Sequence, residues 1–135
     1  MTDFKLQDNG MCFACGEKNG HGLKLKFVFD AASRTASTGF IPGEKYQGYK
    51  GVVHGGIIGL VLDETMAQAA IKSGLNAVTA EICLRLKNPA YTGKPLYCRA
   101  TIKEVSGKLV KVAAVINDGD GRTIATADGK LFIIS

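Results

Sequence analysis

One stretch decides what this chain can fold into. Between the glycine pair at 55 and 56 and Gly74, the residues Ile57, Ile58, Leu60, Val61, Leu62, Thr65, Met66 and Ala69 fill most positions of a helix that has almost no polar face. Such a helix is core rather than surface. Gly74 is the natural stop, with Lys72 in the last turn where a cation suits the helix dipole. A chain with one helix of this kind must wrap it with something else.

What remains reads as strands. Gly22 to Asp30 alternates, with Leu23, Leu25, Phe27 and Phe29 opposite Lys24, Lys26 and Val28. Ala31 to Arg34 is a hairpin turn, Thr35 to Ile41 returns, and Pro42 to Gly51 is a loop. After the helix, Val78 to Leu86 places Val78, Ala80, Ile82, Leu84 and Leu86 on one face and Thr79, Glu81, Cys83, Arg85 and Lys87 on the other. Asn88-Pro89 ends that strand. Leu96 to Val105, Leu109 to Ile116 and Thr123 to Ile134 follow, separated by the turn signals Ser106-Gly107-Lys108 and Asn117-Asp118-Gly119-Asp120-Gly121. Short strand-to-strand connections demand antiparallel pairing. The expectation is an α+β fold, a curved antiparallel sheet of about six strands around one long central helix.

The mouth of the helix carries chemistry. In Val53-His54-Gly55-Gly56 the glycines stand where the first backbone N–H groups of a helix lack intrahelical partners. The dipole makes that end suited to an oxygen that becomes negative during a reaction. Asp63 lies two turns inside the apolar helix, where a carboxylate needs a partner or a task. Gly56, Gly59, Asp63, Ala67 and Ala70 share one face, and all but Asp63 are small. Gly55 and Asp63 lie roughly 12 Å apart along the axis, whereas reacting atoms meet at about 3–3.5 Å. A second helix, antiparallel across a two-fold axis, brings Asp63 of one chain towards Gly55 of the other, which predicts a dimer with two equivalent sites. Glu64 is the rival carboxylate, about 100° round the helix, and is expected to be paired or solvated.

Composition narrows the class further. The 135 residues suit one domain, with residues 1–21 as a turn segment packed on it. The charge is +5, but the basic residues are scattered without interleaved aromatics, which argues against nucleic acid. No N-terminal run resembles a signal peptide and no apolar stretch is long enough for a membrane span, so a cytoplasmic location is expected. Cys12 and Cys15 have the spacing of zinc ligands, with His21 close by. No second such pair completes a set of four, so a tight turn with two half-buried thiols is expected and no metal.

The chain resembles the hotdog-fold acyl-CoA thioesterases, in particular their phenylacetate-pathway (PaaI-like) branch. The resemblance rests on Cys12-Phe13-Ala14-Cys15-Gly16 with Asn19 and Gly22-Leu23-Lys24-Leu25, on Val53-His54-Gly55-Gly56 with Asp63 nine residues after the histidine, on Asn88-Pro89, and on the strand order. It implies that the Gly55 N–H forms an oxyanion hole, that His54 shapes it through hydrogen bonds, and that Asp63 of the partner chain acts as general base or nucleophile. Gly48 stands where related enzymes carry an Asn or Gln that holds the carbonyl, so its neighbour Gln47 is the candidate for that role. The candidate substrate-binding residues are Gly56, Thr79, Lys87, Asn88 and Pro89. The resemblance has Thr79 orienting the water or the carboxylate. Lys87, with Arg85, offers charge for the phosphates of coenzyme A, a charged outer strand face being the alternative reading of both. The resemblance implies an acyl-CoA substrate, no cofactor beyond the coenzyme A of that substrate, and a homodimer of the kind that often pairs into tetramers. The alternative from another class is a non-catalytic acyl-CoA binding module, a sensor or a carrier.

Overall fold

The computed structural model describes residues 6–134; residues 1–5 of the expected N-terminal turn segment lie outside them. Six strands and one long helix appear: β1 (Val28–Asp30), β2 (Thr35–Phe40), α1 (Gly55–Lys72), β3 (Ala77–Leu86), β4 (Leu96–Ser106), β5 (Leu109–Asp118) and β6 (Thr123–Ile133), with a short 3-10 turn over Glu44–Tyr46. The strands form one antiparallel sheet in the order β1-β2-β4-β5-β6-β3. The helix lies across its inner face. Val61, Leu62, Met66 and Ala69 are completely enclosed, packed with Leu96, Val110, Ile116, Ala125 and Leu131 from the strands. At Gly129 a Cβ would come within 2.8 Å of the Met66 Sδ, so the missing side chain gives the thioether its seat.

The helix begins and ends as its residues dictate. Ser73 and Leu75 return their N–H groups to Ala69 and Ala70 carbonyls, and Gly74 takes φ +83° to turn the chain away. Buried residues take every second position from Leu96 to Ile102 in β4 and from Val110 to Ile116 in β5. In β6, Ile124 and Ala125 are both buried before the alternation resumes at Ala127.

Two strand expectations need correction. The first strand was expected from Gly22 but pairs with β2 only from Val28. Lys24 adopts φ +53°, a left-handed conformation that breaks an extended run. The Leu23 and Leu25 N–H groups go instead to the carbonyls of Phe13 and Ala14 in the N-terminal arm. The burial alternation survives, with Leu25 inside and Lys24 and Lys26 outside, because it depends on side-chain direction rather than on ladder bonds.

The second correction concerns β3. Its pairing with β6 slips between Thr79 and Glu81, leaving Ala80 as the extra residue of a bulge. The slip reverses the faces downstream of it. Thr79 stands opposite buried Leu131, and Ile82, Leu84 and Leu86 stand opposite Gly129, Ala127 and Ala125. Thr79 therefore shares the helix-facing side with Ile82, Leu84 and Leu86, whereas Ala80 is exposed.

The N-terminal arm makes a tight turn over Cys12–Gly16. A Cβ at Gly16 would fall 2.4 Å from the Cys12 nitrogen and 2.5 Å from the Gly10 oxygen, both backbone atoms that cannot swing aside. Gly16→Ala is therefore expected to cost about 1–3 kcal/mol, in the range of other overpacked sites, measured by chemical denaturation. An unchanged midpoint would mean that the arm contributes nothing to stability.

Candidate active site

The loop that feeds the helix is closed on itself by hydrogen bonds. Gly48 N–H donates to Val52 O, Val53 N–H to Ala90 O, and His54 N–H to Tyr46 O, at 2.8, 2.8 and 2.9 Å. The Asn88 amide donates to Thr123 O at 2.7 Å, while the Lys87 and Asn88 N–H groups share Ile124 O. The end of β3 is thereby fixed opposite the head of α1. Between them opens a cavity of about 610 Å³, lined among others by Gly48, His54, Gly55, Leu86, Lys87, Asn88 and Pro89.

His54 is the N-cap of α1. Its Nδ1 accepts the Gly56 N–H at 2.8 Å and its carbonyl accepts Ile57 and Ile58. An imidazole that accepts at Nδ1 carries its proton on Nε2. The Gly55 N–H makes no hydrogen bond among the described residues. It is the orphan donor of this helix start, and it borders the cavity.

Asp63 lies elsewhere. It is half-buried in the crevice between α1 and β3, where the Thr79 Oγ1–H donates to its Oδ1 at 2.8 Å. The Ala80 bulge is what turns Thr79 inward for that bond. Neither residue lines the cavity. Small residues on this helix face allow β3 to approach: a Cβ at Gly59 would come within 2.8 Å of Leu84 Cδ1, and one at Gly55 within 3.0 Å of Leu86 Cδ1. Part of the small-residue stripe thus serves the chain's own strand.

Of the residues singled out in the sequence, the cavity gathers His54, Gly55, Lys87, Asn88 and Pro89. Gly56 stands next to them with its N–H already spent on His54. Asp63 and Thr79 form a separate pair, and Gln47 is placed outside the cavity lining. Its Oε1 accepts the Gly51 N–H at 3.0 Å, which ties the loop, and Gly48 borders the cavity in its stead. The Asn88 side chain likewise works on the backbone of β6. Glu64 is paired as expected, its Oε2 accepting from the Gln68 amide at 2.9 Å. Its other oxygen points to a partner the sequence did not suggest, the Cys12 thiol, at 3.9 Å. Burial first, then hydrogen bonds with Cys12 and Glu64, raise the Cys15 thiol above its ordinary pKa.

The family model of the thioesterase superfamily matches residues 50–125, more than half of the sequence, and the chain belongs to that superfamily. Mouse acyl-coenzyme A thioesterase THEM4 is 27% identical over 116 residues, which are 86% of this chain and 50% of that protein. The chain spans about half the length of the curated relatives it matches. Among solved structures, the Escherichia coli PaaI protein from the phenylacetic acid degradation operon superposes with a TM-score of 0.78 at 20% identity, over 84% of this chain and 81% of its own. A hypothetical thioesterase from Streptococcus pneumoniae, solved with coenzyme A, gives a TM-score of 0.74 at 16% identity, over 81% and 83%. The same Streptococcus protein has also been solved as an Asp-to-Ala and a Thr-to-Ala variant at positions sixteen apart. One helix against a six-stranded curved antiparallel sheet is the hotdog fold. Among the described residues no helix is long and apolar enough to cross a membrane.

Proposed function

We propose that this chain hydrolyses acyl-coenzyme A thioesters to the free acid and coenzyme A, at two equivalent sites of a homodimer. The observation that carries the reading is the unpartnered Gly55 N–H at the head of an apolar helix, beside a cavity large enough for an acyl thioester. In this reading the thioester carbonyl accepts from Gly55, aided by the positive end of α1. The His54 cap holds Gly56 and with it the first turn. The Asp63 carboxylate comes from the second chain, oriented by Thr79.

Asp63 acts on the carbonyl carbon through water or directly as nucleophile. Through water, the carboxylate takes a proton from the attacking water, whose oxygen ends in the acid as the C–S bond breaks. As nucleophile, it forms an acyl–aspartyl anhydride as the thiolate leaves, and water then cleaves the anhydride to restore the carboxylate. Either way one water is consumed and a proton from it ends on the coenzyme A sulfur. A thioester is electrophilic enough that a carboxylate and an oxyanion hole suffice, with no metal or redox cofactor. The Asp63–Thr79 separation of sixteen residues equals that of the two positions substituted in the Streptococcus protein. The names of the curated relatives and the coenzyme A bound to that neighbour support the substrate class.

Dimerisation is supported by β3. It is a ten-residue edge strand, and Leu84 and Leu86 on its helix-facing side are 38% and 59% exposed. A long apolar edge invites a second chain.

Turnover of a panel of short, long and aromatic acyl-CoA substrates tests the proposal. Binding without turnover for every acyl group would make the chain a binding module instead. Thr79→Val removes a hydrogen bond to a charged group, of the kind that contributes about 1.5–3 kcal/mol. It is expected to lower kcat roughly ten- to a hundredfold with KM little changed, and Thr79→Ser should restore most of it. An unaffected kcat in Thr79→Val would remove Thr79 from the mechanism.

A further inference from the structure

The N-terminal arm brings together three groups that the acyl site does not use. The Sγ atoms of Cys12 and Cys15 and a carboxylate oxygen of Glu64 all lie within 4.8 Å of one another, with Cys15 and Glu64 half-buried and Cys12 at the solvent side. Cys12 is fifty-two positions from Glu64, so the fold alone assembles the set.

The arrangement is built from both sides. The turn that carries the thiols is closed by Gly16 N–H on Cys12 O at 2.8 Å and Lys18 N–H on Gly10 O at 2.9 Å, and only glycine fits at Gly16. Ala14, between the cysteines, is 1% exposed, and its carbonyl holds the Leu25 N–H. On the helix, Gln68 fixes one Glu64 oxygen at 2.9 Å and leaves Oε1 directed at the sulfurs.

We propose that Cys12, Cys15 and Glu64 bind a zinc ion that clasps the N-terminal arm to α1. Two thiolates and a carboxylate oxygen are a donor set suited to Zn²⁺ and poorly suited to Mg²⁺ or Ca²⁺. Around a tetrahedral zinc such ligands stand about 3.5–3.8 Å apart, so the Cys12–Glu64 contact of 3.9 Å needs hardly any change. Binding displaces a proton from each thiol, and both protons leave to solvent. Solvent occupies the fourth position: His21 is exposed and outside the group. The Gln68 amide holds the ligating carboxylate in place, the usual service of a hydrogen bond to a metal ligand. Glu64 adjoins Asp63 in sequence but points to a different side of the helix, so zinc here anchors the arm and takes no part in hydrolysis.

The test is metal analysis of untagged protein, purified without chelator from zinc-supplemented cells, beside a Cys12→Ser/Cys15→Ser double variant and Glu64→Gln. The wild type is expected to carry about one zinc per chain, the double variant less than about a tenth of that, and Glu64→Gln to bind at least about tenfold more weakly in competition with a chromophoric chelator. Added zinc should also raise the wild-type Tm and not that of the double variant, which keeps the test valid even if the double variant is poorly folded. A zinc-free wild type after dialysis against zinc would overturn the proposal. So would zinc retained by the double variant, or a mass lower by two hydrogens that reveals a Cys12–Cys15 disulfide in place of the metal. Zinc content is read without any turnover assay, so this result stands apart from the fate of the proposed hydrolysis.

Discussion

Gly55→Pro is expected to lower kcat by about 10²–10³, the loss seen when one oxyanion-hole donor is removed, while α1 stays helical. Gly55 is the first residue of α1, where proline is well tolerated because its missing N–H would have no intrahelical partner. The residue before a proline must be extended, and His54 already sits at φ −59°, ψ 134°. Proline thus deletes the N–H while respecting the backbone. Gly55→Ala is the control. It keeps the N–H and adds the same Cβ, which meets only the end of the flexible Leu86 side chain at 3.0 Å. The difference in kcat between the two variants isolates the donor, and circular dichroism checks the helix. Equal activities would mean that the carbonyl is held elsewhere.

Asp63→Asn should lower kcat by about 10²–10⁴, the span covered by a general base. The amide is isosteric, and its oxygen still accepts from Thr79, so the α1–β3 packing and the oligomeric state should not change in size-exclusion chromatography. Glu64 is poorly placed to substitute for it. Its two oxygens are engaged by Gln68 and the Cys12 thiol, on another side of the helix. Substantial residual hydrolysis by Asp63→Asn would remove the carboxylate from the reaction. The two variants probe different halves of the proposed site, and neither lesion touches the core.

The helix, its glycine entry and the turns of β4 to β6 were legible in the sequence because each is set by local rules. An apolar run without a polar face is core wherever it lies, and Gly74 and Asn88-Pro89 stop the chain in any context. The bulge at Ala80 was not legible. It has no residue signature, yet it decides that Thr79 turns inward to Asp63 and that Ile82 follows on the same side. Lys24 gave no signal either, since its left-handed φ is imposed by the arm that takes the Leu23 and Leu25 amides. Gln47 is the instructive case: the family resemblance put the carbonyl donor at Gly48 and so offered its neighbour Gln47. No sequence rule announced that the Gln47 Oε1 accepts the Gly51 N–H and closes the loop. Long-range pairings such as Cys12 with Glu64 depend on the whole fold. No window of sequence contains both.

The most direct measurement is complementation between inactive chains. Gly55→Pro and Asp63→Asn proteins, unfolded together in equal amounts and refolded, form mixed dimers in which one of the two sites collects both lesions and the other none. If a thioester is held by Gly55 of one chain and attacked by Asp63 of its neighbour, activity should rise to about a quarter of the wild-type value, because half the dimers are mixed and each has one intact site. An activity no higher than the average of the two parents, with mixed dimers shown to be present, would contradict the shared site.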